Sequence, residues 1–276
     1  MIIRAALCPS PPLLATGVGG QAAVLPELRE ACEAAVGWLL AAAPDEVTVV
    51  GPAAVTASWP PDAVPDLAMH APALRTDAPP LPFTPPLPPA PPLPLSLAIG
   101  AQLLDAAGYA GPRVLQSVAA SATPGDCRDL GRDLAADAPV TALLVIGDGS
   151  ARRSAAAPGY LDERAEPFDT EVEQAIRDGD LPFLAALDPE LAADLLAAGR
   201  PAWQVLAAAL TPPSGAAGPD APDVHAAADP DAPDRDPAPR PDTAARPDTA
   251  ARPETRVLYS DAPLGVAYLV ATLDPR

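Results

Sequence analysis

Apolar residues along the chain fall into short runs rich in Val, Ile and Leu and into longer stretches with a helical period. The short runs are predicted to be buried strands, because continuous β-branched runs suit strands that are covered on both faces. They cover residues 2–7, 46–51, 113–119 and 140–146. Strands that alternate with helices are typical of an α/β domain with a mostly parallel central sheet flanked by helices.

Several regions between and after these runs are predicted to be helical. The first two are residues 25–43 and 95–107. A third helix is predicted to begin at 123–126, where a threonine cap, a first-turn proline and an acid near the dipole follow one another. Helices then dominate 167–210, where residues 188–190 are predicted to open one helix and Gly199 to close it.

Two proline-rich segments interrupt this pattern. Residues 52–92 are predicted to lack regular structure, and "PPLPFTPPLPPAPPLP" at 79–94 is predicted to be extended polyproline. Residues 211–255 are rich in Pro, Ala and Asp and repeat "RPDTAA" at 240–245 and 246–251. Such a segment cannot bury enough apolar area to offset its ordering entropy, so it is predicted to be disordered.

The chain returns to an apolar pattern at its end. Residues 256–261 and 265–273 are predicted to be strands joined by a tight "APL" turn, which makes a C-terminal antiparallel hairpin. The proline-rich segment is therefore an insertion. Residues 1–210 and 256–276 are predicted to form a single α/β domain.

Charge and composition exclude several classes of partner. The formal net charge of −19 disfavours nucleic acid and anionic membranes as general partners. The three cysteines, an odd number without a CxxC pair, indicate a reducing compartment, and we expect a cytoplasmic protein. No apolar run approaches the roughly 18 residues needed to span a bilayer.

Candidate chemistry is expected in the loops that follow the strands, because open α/β sheets bind ligands beyond the carboxyl ends of their strands. These loops are "CPSPPLL", "GPAAV" and "GDGSARR". Ser150 is not part of a G-x-S-x-G elbow and no strand-end histidine accompanies it, so serine hydrolase chemistry is disfavoured. Cys8 also lacks a paired histidine, which favours a buried, inert thiol.

The polar stretch after the fourth strand leaves two alternatives open. Arg152 and Arg153 could hold a carboxylate or phosphate, with Asp148 beside them at the binding site. Alternatively the two arginines pair with acidic neighbours. The acidic residues available are Asp162, Glu163 and Glu166. With Asp148, these acids could hold a hard cation, or they could form a solvated acidic face.

Histidines are too few and too remote for an ordinary metal site. Iron and zinc sites commonly use two histidines and a carboxylate. The chain has only His70, in the proline-rich stretch, and His225, in the predicted insertion. Neither follows a strand, so no resident metal is expected.

Several segments together resemble the subunit-B-like class III extradiol ring-cleavage dioxygenases, particularly a divergent actinobacterial branch. The resemblance lies in "AALCPSPPLL", "LPLSLAIGAQLLDAAG", "LLVIGDGSARRSAAAPGYLDERAEPFD", "LDPELAADLLAAGRPAWQVLAAAL" and "SDAPLGVAYLVATL". These cover most of the chain outside the proline-rich segments, in order. The resemblance implies an α/β domain, Fe(II) held by two His and one Glu, an acid/base His, and cleavage of catechol rings with O₂.

The same resemblance implies that the functional positions have changed. Ser10 stands where the first iron-binding His belongs, and "GPAAV" at 51–55 lacks the second. Arg153 stands where the catalytic His belongs. Gly199 and Arg200 are the candidates for the Glu position before Trp203. Ser10, Asp148, Ser150 and Arg153 would thus line a degenerate site.

The leading hypothesis is therefore a non-catalytic homologue that binds a small aromatic or anionic molecule, or a protein partner. No cofactor is expected, or Fe(II) if the family activity is kept. One alternative is an active enzyme with relocated ligands, namely Asp148, Glu163 and His70. Another is an interaction protein whose proline-rich residues 79–94 dock a polyproline-reading partner. Nothing in the sequence indicates an oligomeric state.

Overall fold

Residues 1–211 and 252–276 form one compact unit in the computed structural model of the chain. The structure describes residues 1–14, 25–61, 63, 93–136, 139–212 and 252–275. The "RPDTAA" repeats, residues 79–92, His70 and His225 lie outside the described residues, so the predictions made for them stay predictions. Among the described residues, no helix is both long enough and apolar enough to cross a membrane.

Seven strands and seven helices make up the described part of the chain. The strands are β1 (Ile2–Cys8), β2 (Glu46–Ala53), β3 (Ala57–Trp59), β4 (Arg113–Ala119), β5 (Thr141–Ile146), β6 (Glu254–Asp261) and β7 (Tyr268–Asp274). The helices are α1 (Pro26–Leu40), α2 (Leu95–Ala106), α3 (Pro124–Ala136), α4 (Ala165–Asp178), α5 (Leu181–Ala185), α6 (Pro189–Asp194) and α7 (Arg200–Leu210). A short 3₁₀ helix (Pro12–Leu14) follows β1.

All seven strands belong to one mixed sheet in the order β3-β4-β2-β5-β1-β7-β6. The four central strands β4, β2, β5 and β1 run parallel to one another, whereas β3 pairs antiparallel with β4, β7 with β1, and β6 with β7. The predicted α/β class, the parallel centre and the antiparallel C-terminal strands are confirmed. The hairpin lies at one edge of the sheet.

Strand β5 lies in the middle of the order and is buried along its whole length. Its residues alternate between two apolar cores, because successive side chains of a strand point to opposite faces. Leu143 and Val145 enter the core that contains residues of α3, α4 and α7. Leu144 and Ile146 enter the core that contains residues of α1 and α2.

Pro52 and Ala53 end β2, so the prediction that residues 52–92 lack regular structure is wrong there. It is also wrong for Ala57–Trp59. These residues form β3, which pairs with the edge of β4. The indole Nε1–H of Trp59 donates to the Ser117 hydroxyl at 2.9 Å, so the strand also satisfies a buried polar side chain. This pairing partner lies about sixty positions along the chain, and local composition does not reveal it.

The predicted hairpin needs two corrections. Strand β6 begins at Glu254, inside the segment predicted to be disordered, and Thr255 anchors it by donating to the Arg177 carbonyl at 2.6 Å. Strand β7 begins at Tyr268 and not at 265. The connection therefore spans residues 262–267, with Gly265 at φ +73°, and is longer than the predicted turn.

The predicted role of Gly199 is also wrong. Helix α6 ends at Asp194, and Gly199 directly precedes α7. A Cβ atom on Gly199 would lie 2.4 Å from the Trp203 ring and 2.9 Å from the Asp148 carbonyl oxygen. Glycine is thus required by a close approach to the loop after β5, and not by a helix end.

Candidate functional site

Ser10 and Asp148 meet at the carboxyl ends of two neighbouring strands. Strands β1 and β5 are paired in parallel, with Cys8 opposite Ile146, so the residues two positions further on emerge side by side. The Ser10 backbone N–H donates to Oδ1 of Asp148 at 2.7 Å. The Ser10 hydroxyl donates to Oδ2 at 3.3 Å. The sequence placed both residues at the degenerate site, and the structure brings them together.

This pair lies in the wall of a cavity of about 690 Å³. Residues at the end of β2, from β3 and from the start of α2 form much of the remaining wall, among them Pro52, Trp59 and Leu95. Asp148 is the one charged side chain among the described residues that line it. The volume lies within the range of small-molecule sites, about 300–1,000 Å³.

Asp148 is half-buried in the cavity wall, and the surrounding protein removes most of the hydration of its carboxyl. Burial raises its pKa from 3.8 to about 6, against the two hydrogen bonds from Ser10 that lower it. The carboxylate is therefore ionised at neutral pH and half-protonated at about pH 6. It remains an acceptor with lone pairs that Ser10 does not use.

Other polar groups at this cavity are already engaged. The Ser96 hydroxyl donates to the Pro52 carbonyl at 2.8 Å. The Trp59 indole donates to Ser117, as described above. A ligand would thus meet an apolar surface whose principal polar feature is the Asp148–Ser10 pair.

Ser150 and Arg153 face a different partner, Asp169 on α4. The Ser150 N–H and hydroxyl donate to its two carboxylate oxygens at 2.9 and 2.5 Å. Nη1 of Arg153 lies 3.3 Å from Oδ2 of Asp169, and Nη2 lies 3.4 Å from Oε1 of Glu166. Burial raises the pKa of Asp169, and the hydrogen bonds from Ser150 and Arg153 offset only part of this effect. Arg153 and Asp169 border a separate pocket of about 190 Å³.

The arrangement favours ion pairing over anion binding for Arg153. The carboxylates of Asp169 and Glu166 neutralise its guanidinium. Glu166 was among the predicted acidic neighbours. Asp162 instead pairs with Arg164, with Nη2 of the arginine 2.9 Å from Oδ2 of the aspartate. The hydrogen bonds from Arg164 lower the pKa of Asp162 to about 2. The Arg152 backbone carbonyl accepts from the Asp162 N–H at 3.0 Å, and the Arg152 Nε atom is buried without a hydrogen bond.

Asp169 is the residue that sequence reasoning missed. A signal for it exists in the spacing of α4, whose buried residues Ala165, Phe168, Val172 and Ile176 form one face. Asp169 lies one turn after Ala165 on the edge of that face. An acid at such a position needs a buried partner, and Ser150 supplies it.

The residues at the resembled iron positions do not fit Fe(II). Such a centre needs imidazole and carboxylate donors. Arg200 is 3% exposed, and its guanidinium carries a positive charge where a glutamate ligand would belong. Ser10 offers a hydroxyl that is bonded to Asp148. The described residues contain no cluster of three or more His, Cys, Asp or Glu able to hold a metal, and His70 of the relocated ligand set lies outside them.

A comparison with family models gives no match, and no curated protein sequence matches the chain. The resemblance to extradiol dioxygenases therefore rests on the sequence motifs alone.

Proposed function

We propose that the chain is a small-molecule-binding protein of the class III extradiol dioxygenase type that does not cleave aromatic rings. The observation that carries the proposal is the Ser10–Asp148 pair in the wall of a mostly apolar cavity of about 690 Å³. The cavity lies beyond the carboxyl ends of parallel strands, where such folds bind ligands. The two apolar cores that share β5 support a sheet flanked by helices, in agreement with the resemblance.

The ligand is a small, flat and largely apolar molecule that carries a hydrogen-bond donor. An apolar wall favours an aromatic body, and a single carboxylate favours a hydroxyl or amine at one end. An anionic group would be repelled by Asp148, so of the two ligand classes that the sequence suggests, the neutral aromatic one suits this cavity. The donor would bond the Asp148 oxygens at lone pairs that Ser10 leaves free.

Calorimetric titration with 2-naphthol tests this ligand class. We expect binding of 2-naphthol and at least about tenfold weaker binding of 2-methoxynaphthalene, which has the same ring system without the donor. Asp148→Asn should weaken naphthol binding by a similar factor. Asp105→Asn, which changes a 63% exposed carboxylate, should leave it unchanged. Equal binding of the two naphthalenes, or no binding, would overturn the assignment of this cavity.

The absence of ring cleavage needs its own experiment. The purified chain is mixed with Fe(II) under anaerobic conditions, its bound iron is measured, and catechol and O₂ are then added. We expect substoichiometric iron and no ring-opened product, because the described residues at the resembled positions offer no imidazole. Stoichiometric iron together with turnover would refute the proposal.

A further inference from the structure

Arg200, the first residue of α7, is a buried cation that has no carboxylate partner among the described residues. Its side chain is 3% exposed, and every hydrogen bond it makes to the described part of the chain goes to a neutral group. Nη1 donates to the Ala122 carbonyl at 2.6 Å and to Oε1 of Gln204 at 2.9 Å. Nη2 donates to the Ala120 carbonyl at 2.7 Å. Burial lowers the pKa of Arg200, as expected for a charge without a counterion.

The surroundings of Arg200 add positive potential. Helix α7 begins here with no side-chain cap and no acidic residue in its first turn, so no carboxylate offsets the positive end of its dipole. A buried charge is normally paired, since leaving water without a counterion is costly. The carbonyl groups satisfy part of the guanidinium's hydrogen bonding but supply no formal negative charge.

One edge of the guanidinium is available to a ligand. Nε makes no hydrogen bond within the described residues, and Nη2 has a second N–H beyond the one given to Ala120. Nε and Nη2 together are the fork with which arginine binds a carboxylate through two hydrogen bonds.

Arg200 lines a cavity of about 320 Å³. The remaining described lining consists of alanine, proline and leucine residues, including Ala192, Ala193 and Leu196 on and after α6. This cavity is separate from the larger one, although Ala120 and Ala198 border both. Its size is at the lower end of the range for small-molecule sites, about 300–1,000 Å³.

We propose that Arg200 and the apolar cavity beside it form a binding site for a small monocarboxylate with a compact hydrocarbon body. The carboxylate provides the counterion that Arg200 lacks, and the hydrocarbon fills the space between α6 and the start of α7. This site does not depend on the proposed function, because neither Asp148 nor Ser10 lines it.

Isovalerate is the probe, and its neutral isostere isovaleramide is the matched control ligand. Binding to the full chain is measured by ligand-observed NMR at constant ionic strength. We expect isovalerate to bind at least about tenfold more tightly than the amide, because a charge-assisted hydrogen-bonded pair is replaced by neutral bonds. Equal affinity for acid and amide, or no binding of the acid, would overturn the proposal.

Two variants locate the site. Arg200→Gln should abolish isovalerate binding, and wild-type affinity in this variant would refute the assignment. Because Arg200 also joins the loop after β4 to α7, that variant can fail to fold, and Ala193→Leu then decides the matter. Ala193 is exposed and lies in the cavity wall, so leucine there should fill the cavity without touching the guanidinium contacts.

Ala106→Leu is the control for Ala193→Leu, since it places the same side chain on an exposed alanine of α2, outside the cavity. We expect wild-type binding in Ala106→Leu and at least tenfold weaker binding in Ala193→Leu. Unchanged binding in Ala193→Leu would contradict the site. Asp148→Asn should weaken naphthol binding by at least about tenfold and keep isovalerate binding, so that failure of one proposal is distinguishable from failure of the other.

Discussion

Asp148→Asn should change how the stability of the protein depends on pH. Burial raises the pKa of the Asp148 carboxyl from 3.8 to about 6 in the folded protein. In the unfolded chain the group titrates near its ordinary value, so between these two pKa values the folded state binds more protons than the unfolded state. Stability from this group is therefore greatest at low pH and falls as the pH rises through 6.

The magnitude follows from the size of the shift. At pH 5 the folded carboxyl is about nine-tenths protonated while the unfolded one is largely ionised, which stabilises the fold by about 1.4 kcal/mol. At pH 7.5 the contribution is close to zero, because both states are ionised. The wild-type free energy of unfolding should thus drop by about 1.4 kcal/mol relative to Asp148→Asn between pH 5 and pH 7.5. This window avoids the sequence pI near 4.2.

Urea unfolding followed by circular dichroism measures this difference. The asparagine amide can still accept the Ser10 N–H bond, so the variant should fold. Asp169, whose pKa is also raised, is present in both proteins and cancels in the comparison. Parallel pH profiles for wild type and Asp148→Asn would show that the carboxyl does not titrate near 6 and would refute the reasoning.

Two substitutions and one labelling experiment test the packing of the fold. Gly131→Ala should destabilise the fold by about 2 kcal/mol in urea unfolding, because its Cβ would lie 2.4 Å from the Val205 carbonyl oxygen; a neutral effect would show that α3 and α7 can separate. Ser150→Ala should cost about 1–2 kcal/mol of unfolding free energy, since Asp169 loses a buried hydrogen bond, and an unchanged midpoint would contradict that role. All three cysteines are buried, so they should react with a thiol reagent only after denaturant is added, and rapid labelling of the native protein would contradict their burial.

Local pattern was sufficient for most of the fold. The β-branched runs predicted the four parallel strands to within two residues at each end, and the run at 113–119 coincides with β4. A buried parallel strand is almost continuously apolar, and few other elements produce that signal. Strand β3 escaped prediction because its three residues owe their structure to the edge of β4 and not to their own composition.

The candidate site was predictable only in part. Ser10 and Asp148 could be placed at strand ends, but their hydrogen bond depends on β1 and β5 being neighbours, although 138 positions separate the two residues. The hydrogen bonds from Ser150 to Asp169 depend on how α4 packs, which the local sequence pattern does not show. Arg200 gave no sequence signal of burial, since arginine is ordinarily exposed. Contacts between residues far apart in the sequence determine these two sets of hydrogen bonds and the burial of Arg200.

The "GDGSARR" loop after β5 connects the two polar clusters, and Gly147 lets it lie close to the start of α7. Asp148 and Ser150 are two positions apart, yet one bonds Ser10 at the large cavity and the other bonds Asp169 on α4. A Cβ on Gly147 would lie 2.5 Å from the Gly199 Cα atom, so this glycine lets the loop lie against the start of α7. Asp148 itself accepts the Gly199 N–H at its backbone carbonyl, at 2.7 Å. Gly199 therefore holds Asp148 at its backbone while Ser10 holds it at its side chain, so the carboxylate would be a rigid acceptor for the proposed ligand.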